Sequence, residues 1–372
     1  MNLLDKQDIY NELKNEHKEF SQANSLDMHL EKLAYYNNLA KNMAADVLPF
    51  DFSTLVLLQR YLIKKGELLT AYHIAKNMIL SIEDLKTPQQ IPEKYFIWKQ
   101  IFLGNTKNAF ECCEKLNSKL NNQRNIDKVK MFEFAFLGGD FYKTSEYTAN
   151  IHFKSILKGK KVVLIGPAPD HEIDLVSISR LYDVIVIFNY RQYENISEWK
   201  ENNKNLKIIS YYSQDGFDEL SDYMPDYIDD LDGCVIRENF SDKALQIVAD
   251  KKARYMYPYY EILYYGSLQL MQIAMLDLLQ FAPKSISVFG CNLFLSESVY
   301  VEGYLKGFDE RKRLLEAFAF HNMALQFWIV QMLYINGMII PSKILRDVLD
   351  KNTTESYLEN MEKIYKPESN NI

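Results

Sequence analysis

Six short runs of branched and aromatic residues in the second half of the chain set the terms for any fold. They are Val162–Ile165, Asp183–Phe188, Leu206–Tyr212, Gly233–Ile236, Ser285–Phe289 and Gly337–Pro341. Each is strand length, and the apolar residues run on without the alternation of a half-exposed sheet. Helical stretches such as Ser267–Phe281 and Asn322–Ile335 stand between or after them. Continuous apolar strands separated by helices predict a parallel sheet covered on both faces, an α/β, Rossmann-like fold, over residues 151–345. In such sheets ligands bind beyond the carboxyl ends of the strands, which here puts Gly166, Asn189 and Gly290 forward.

The first 150 residues follow a different period. From Ser53 to Ile79 apolar residues recur every three or four positions, which predicts helices with one buried face, and Gly66 falls where a helical hairpin turns. Gly66, Ala71, Tyr72 and Ala75 are matched 38 positions later by Gly104, Ala109, Phe110 and Cys113. That spacing is close to the period of about 34 of tetratricopeptide-type hairpins, and a generic helical bundle fits the same residues. The segment Gly138–Asn150 loses the helical period and is expected to hold the boundary. Residues 346–372 are expected to add a C-terminal helix and tail.

Bulk composition excludes several classes. A net charge of −7 argues against a broad nucleic-acid footprint, while leaving room for a small basic pocket. Four cysteines, two of them adjacent at Cys112 and Cys113, are too few and ill-spaced for a disulfide framework or a zinc site. The polar, acidic start Met1–Asp8 does not read as a signal peptide, so a cytoplasmic location is expected, at most with peripheral contact to the inner membrane face. The apolar stretch Met323–Ile340 carries Gln326, Gln331 and Asn336 and is broken at Gly337, so it reads as a buried helix and short strand rather than a membrane span.

The turn Gly166-Pro-Ala-Pro-Asp170 follows the first strand directly. Glycine there allows a ligand close to the backbone, and the small Ala168 keeps the approach open. It is neither the three-glycine dinucleotide fingerprint nor a Gly-Lys-Ser/Thr phosphate loop, so alone it fits an ordinary proline-punctuated turn equally well. Further motifs follow in order: His171-Glu-Ile-Asp174, the strand end at Phe188-Asn-Tyr190, Tyr265-Gly-Ser267 before a helix, Ser287-Val-Phe-Gly-Cys-Asn-Leu-Phe294, and His321 before the last helix–strand unit.

Over roughly residues 160–345 this series resembles the bacterial CMP-sialic acid-dependent sialyltransferases, including transferases of related nonulosonates and Kdo. The resemblance implies a sialyltransferase-like GT-A variant of the parallel-sheet fold and a CMP-activated acidic sugar as donor, with no metal and no other cofactor. The acceptor would be a glycan or lipid-linked glycan. It also implies roles. Gly166, Pro167 and Ala168 would line the nucleotide phosphate, with the amides of Ala168 and Asp170 facing it. Asn189 would bind the CMP moiety, and Gly290 and Asn292 the cytidine and ribose. Ser267, at a helix start, would hold the donor carboxylate. Tyr300 would donate to the departing phosphate, and His321 would deprotonate the acceptor, inverting the anomeric centre. Histidine is the side chain nearest the pKa such a step needs.

The turn departs from the family pattern at Pro167 and Asp170, and the later strand end at Asn292 and Phe294; Tyr304 is a candidate for the lost phosphate donor. Asp170 opens an alternative in which a carboxylate forms a covalent intermediate and the reaction retains configuration, as for a CMP-Kdo donor. Three further features are weighed. Asp230-Leu-Asp232 imitates a metal motif but lies in an acidic run ahead of a strand, which favours a solvated charge cluster. The tyrosine-rich Tyr255–Tyr265 fits an acceptor-binding lid or a packed loop equally, and Lys251, Lys252 and Arg254 before it are candidates to meet an acidic acceptor. The N-terminal helices are expected to recognise the acceptor or a partner protein. Two other readings stay open: a helical-repeat interaction protein fused to an inactive nucleotide-binding fold, and another nucleotide enzyme such as a pyrophosphokinase on a similar sheet.

Overall fold

The computed structural model describes residues 52–82, 93–139, 151–170, 174–190, 196–213, 229–236, 252–256, 262–264, 266–296 and 310–365. Seven parallel strands form one sheet: β1 (Lys161–Ile165), β2 (Val184–Phe188), β3 (Lys207–Tyr212), β4 (Gly233–Ile236), β5 (Ala253–Tyr255), β6 (Ser285–Phe289) and β7 (Ile340–Pro341). Their order is β5-β4-β3-β2-β1-β6-β7. The chain therefore builds outward from β1 to β5, then crosses back and lays β6 against the other side of β1, pairing Lys161 to Ser285 through Ile165 to Phe289. The α/β parallel sheet expected from the apolar runs is present, and its switch point lies between β1 and β6.

Successive residues of each strand face opposite sides, and both sides are filled. Val162, Leu164, Val184, Val186 and Ile209 point into one core. Val163, Ile185, Ile187 and Ile208 point into the other, where α7 (Leu175–Leu181) and α8 (Ile196–Asn202) supply Ile178, Ile196 and Trp199. Burial on both faces is why these strands carry no polar alternation.

The helical half forms two hairpins, α1 (Phe52–Lys64) with α2 (Leu68–Leu80) and α3 (Glu93–Phe102) with α4 (Thr106–Lys119), followed by α5 (Gln123–Leu137). The turns fall at Gly66 and Gly104, and the matched small residues Ala71, Ala75, Ala109 and Cys113 are buried where the paired helices approach. A short helix, α6 (Ile151–Leu157), precedes β1. The expected boundary at Gly138–Asn150 lies outside the described residues beyond Gly139.

One hydrophobic cluster runs from Leu58 of α1 to Tyr365 near the C-terminus, so the hairpins and the sheet share a core. Trp98 of α3 is central to it. Its ring lies 4.9 Å from both Tyr264 and Trp328, and its indole N–H donates to the Ile262 carbonyl at 2.7 Å. The described part of the tyrosine-rich segment is therefore packed core at Tyr264; Tyr257, Tyr259, Tyr260 and Tyr265 lie outside the described residues.

Three more helices and a C-terminal pair complete the layer: α9 (Leu270–Leu279), α10 (Glu310–His321), α11 (Met323–Ile335), then α12 (Lys343–Lys351) and α13 (Thr354–Tyr365). α9 and α11 are apolar nearly all round because they are buried nearly all round. Among the described residues no helix is long and apolar enough to cross a membrane. The last pair is integral rather than appended: Tyr357 of α13 stacks on Phe327 of α11 at 4.5 Å and 17°.

Two expectations need correction. β5 was not foreseen, because its three residues are centred on a charge. Arg254 is 6% exposed, pairs with the fully buried Asp277 of α9 (Nη1 to Oδ1, 3.1 Å), and lies over the rings of Phe153 and Phe281. The Tyr211 phenol donates to the same carboxylate. Arg254 therefore cannot meet an acceptor. The helix expected from Ser267 begins at Leu270, with Gln269 at the N-cap position, which leaves Ser267 in the approach segment.

Candidate functional site

At the switch point the loops after β1 and β6 touch backbone to backbone. A Cβ on Gly166 would fall 2.3 Å from the Gly290 carbonyl oxygen, and one on Gly290 would fall 2.3 Å from that of Gly166. Both positions therefore require glycine, and Gly290 also carries a φ of 61°. The contact is sewn by hydrogen bonds: Gly166 N–H to Phe289 O at 2.9 Å, Ala168 N–H to Gly290 O at 3.0 Å, and Gly290 N–H to Asp170 Oδ2 at 3.0 Å.

This stitching alters the expected phosphate cradle. The Ala168 amide, expected to face a phosphate, is taken by the neighbouring loop, and Pro167 and Pro169 have none to offer. Asp170 has one carboxylate oxygen engaged with the Gly290 amide, which makes it a latch between the two loops. Cys291, in the same loop, is buried, and that burial pushes its thiol up to about 11, with the nearby Asp170 charge adding to the shift. It is held as a neutral thiol rather than a nucleophile.

The loop after β6 is locally self-bonded. Asn292, 6% exposed, accepts from the Phe294 amide at 2.9 Å and donates to Ser296 Oγ at 2.7 Å. Leu293 and Phe294 are both left-handed, with φ of 50° and 65°. Asn189, expected at the nucleotide, closes β2 against β3: its Oδ1 accepts from the Ser213 amide at 2.9 Å and from the Ser213 hydroxyl at 3.2 Å. Its φ of 51° suits asparagine, which tolerates the left-handed region better than most residues. Tyr300 and Tyr304 lie outside the described residues.

Ser267 and His321, 54 residues apart, meet directly. His321 Nδ1 lies 3.1 Å from the Ser267 carbonyl oxygen and 3.2 Å from its hydroxyl. A carbonyl can only accept, so the contact with it is a hydrogen bond in the tautomer that carries its proton on Nδ1 and leaves Nε2 as acceptor; in the other tautomer Nδ1 accepts from the Ser267 hydroxyl. The Ser267 amide donates to Phe320 O at 2.9 Å. Gln326 of α11, fully buried, knits the pair together: its Nε2 donates to the carbonyls of Ser267 and His321, and its Oε1 accepts from the Gln269 amide. The amide of Ser267, expected to hold a donor carboxylate at a helix start, is thus engaged within the protein, as is that of Gln269. Met271, four residues after Ser267, places its methyl against Gly166.

Sequence reasoning missed Gln326, which it read only as an interruption of an apolar stretch. It also missed Tyr357 and Tyr365 of α13, whose phenols donate to the carbonyls of Leu293 and Phe294, both at 2.9 Å. No local signal marks either, because their partners lie on distant segments.

The Asp230–Asp232 run is a charge cluster, as its position ahead of β4 suggested. Asp232 pairs with Lys207 at 2.9 Å and Lys200 at 3.3 Å. Burial pushes its carboxyl up, but the Lys207 hydrogen bond, the Ile208 amide and Lys200 outweigh that and hold it below the ordinary carboxylate range. Among the described residues no group of three or more His, Cys, Asp or Glu side chains is placed to hold a metal.

Compared with protein-family models, curated proteins and solved structures, the chain matches none of them. Any function must be argued from the switch point and the His321–Ser267 pair themselves.

Proposed function

We propose that the chain is a glycosyltransferase that moves an acidic sugar from a CMP-linked donor to the hydroxyl of a glycan acceptor, with His321 as general base. The observation that carries this reading is the 3.1 Å contact of His321 Nδ1 with the Ser267 carbonyl, on the segment leading into the helix whose Met271 packs against Gly166. With the proton on Nδ1, held by that carbonyl, Nε2 is the acceptor nitrogen that base catalysis needs. In the proposed step, Nε2 takes the acceptor hydroxyl proton as that oxygen bonds the anomeric carbon. The bond from that carbon to the phosphate oxygen breaks, and CMP leaves with the electron pair, inverting the centre. Gln326 and Ser267 orient the ring.

A second reading has an observation in its favour. With the amides of Ala168, Ser267 and Gln269 engaged internally, the sheet offers an anion fewer backbone donors than a turnover site usually does. That suits a helical-hairpin interaction protein whose sheet binds a nucleotide without turning it over.

Titration calorimetry with CMP, ATP and GTP, with and without magnesium, followed by mass spectrometry of products from a panel of CMP-sugars, separates the two. The transferase reading expects CMP to bind without metal, product from at least one donor, and a loss of about a hundredfold or more in His321→Gln. Unchanged turnover in that variant refutes the base; nucleotide binding with no turnover of any donor favours the second reading.

A further inference from the structure

The loop after β6 is the part of the switch point whose shape comes from outside the sheet. Two consecutive residues that are not glycine, Leu293 and Phe294, hold left-handed backbone there, which persists only where the surroundings fix it. Their carbonyls are turned toward α13, where the phenols of Tyr357 and Tyr365 donate to them at 2.9 Å each. Both tyrosines are almost wholly buried, and both rings are locked: Tyr357 against Phe327 at 4.5 Å, Tyr365 against Phe318 at 5.2 Å. Phe318 in turn packs 5.2 Å from Phe294, so the loop is clasped by ring contact as well as by hydrogen bonds.

α13 is anchored on the helical half. The Leu69 amide at the start of α2 donates to Glu362 at 2.8 Å, and Lys76 pairs with Glu355 at 3.2 Å. The loop that carries Gly290, Cys291 and Asn292 is thereby fixed to the N-terminal hairpin through one helix.

We infer that Tyr357 and Tyr365 are positioning residues for the ligand-binding face of the switch point. They hold the β6 loop in the shape that presents Gly290 and Asn292, and Glu362 ties that hold to the first helical hairpin. This rests on the reading of the switch point as the nucleotide site. It assigns the helical half a part in building that site, beyond acceptor or partner recognition.

The test uses the full-length protein with Tyr357→Phe and Tyr365→Phe, which keep ring volume. Hydrogen exchange is measured without ligand at Phe294 and Leu295, whose amides bond Asn292, and at Val163 and Val288 in the sheet. The expected result is exchange at the loop amides faster by about tenfold in each phenylalanine variant, as for one lost hydrogen bond, with the strand amides unchanged. The second arm reads CMP affinity, expected to weaken about tenfold, and in turnover a raised KM for the donor with little change in kcat. Loop exchange equal to wild type overturns the inference whatever the protein binds. Faster loop exchange with unchanged CMP affinity also overturns it, because the loop would then not shape the site. A wild-type protein that binds none of CMP, ATP and GTP refutes the nucleotide reading itself, and the exchange arm still decides the hold.

Discussion

Gly166→Ala probes the switch point most directly, and its cost can be worked from geometry. The added Cβ would meet the Gly290 carbonyl oxygen at 2.3 Å and the Met271 methyl at 2.2 Å. The methionine end can swing aside; the carbonyl cannot, because the Ala168 amide holds it at 3.0 Å and the Gly290 amide is latched to Asp170. Relief therefore means parting the ends of β1 and β6 by roughly 1 Å, since atoms this close must return to ordinary van der Waals separation. That strains three hydrogen bonds, each worth about 1 kcal/mol net, on top of an overpacking cost of about 1–3 kcal/mol. Losing all three would bring the total to about 4–6 kcal/mol. Gly337→Ala is the control: its φ is 68°, but nothing lies within 4 Å of an added Cβ, so only left-handed strain of about 1–2 kcal/mol is expected. Urea denaturation of both variants gives the comparison, with the m-value checked for constancy. If Gly166→Ala cost no more than Gly337→Ala, the two loops would yield to each other, and a rigid ligand wall at this point would be refuted.

Two further outcomes test the frame around the site. Asp277→Asn should destabilise by about 3–5 kcal/mol in the same urea assay, because it strands the buried Arg254 charge over Phe153 and Phe281. The double replacement Arg254→Met with Asp277→Leu should recover much of that loss. Asp232, whose carboxyl is held below its ordinary range, contributes stability that is complete above the unfolded value of about 4 and fades as pH falls through the lowered folded value. Asp232→Asn should thus flatten the acid limb of stability against pH below about 4, and an unchanged limb would refute the assignment.

The sheet was legible wherever burial on both faces forced a continuous apolar run, which is why β1, β2, β3, β4 and β6 can be read almost to the residue. β5 was not legible, because Arg254 at its centre looks like a surface cation until Asp277 is brought under it from α9. The hairpin turns at Gly66 and Gly104 were legible from their matched small residues, since close helix packing leaves a local signature. The site was legible in part. Ser267 and His321 are adjacent although 54 positions apart. The direction of the amides was not legible at all. Whether the Ala168 amide faces a ligand or a neighbouring loop depends on Gly290, more than a hundred residues later, and no local pattern encodes that pairing.

The same pairing gives physical content to Pro167 and Asp170 of the β1 turn. Proline at 167 removes an amide that would otherwise have to find a partner in a cramped turn, where Gly166 leaves no room for a Cβ. Aspartate at 170 supplies a carboxylate oxygen to the Gly290 amide, a stronger acceptor than a hydroxyl would be. Both residues turn the loop inward, toward β6. A donor at this switch point would then owe its affinity less to a backbone phosphate cradle than to the shape of the β6 loop. That shape is set by two tyrosines of the C-terminal helix, so the sheet and the helical half are expected to matter together for binding.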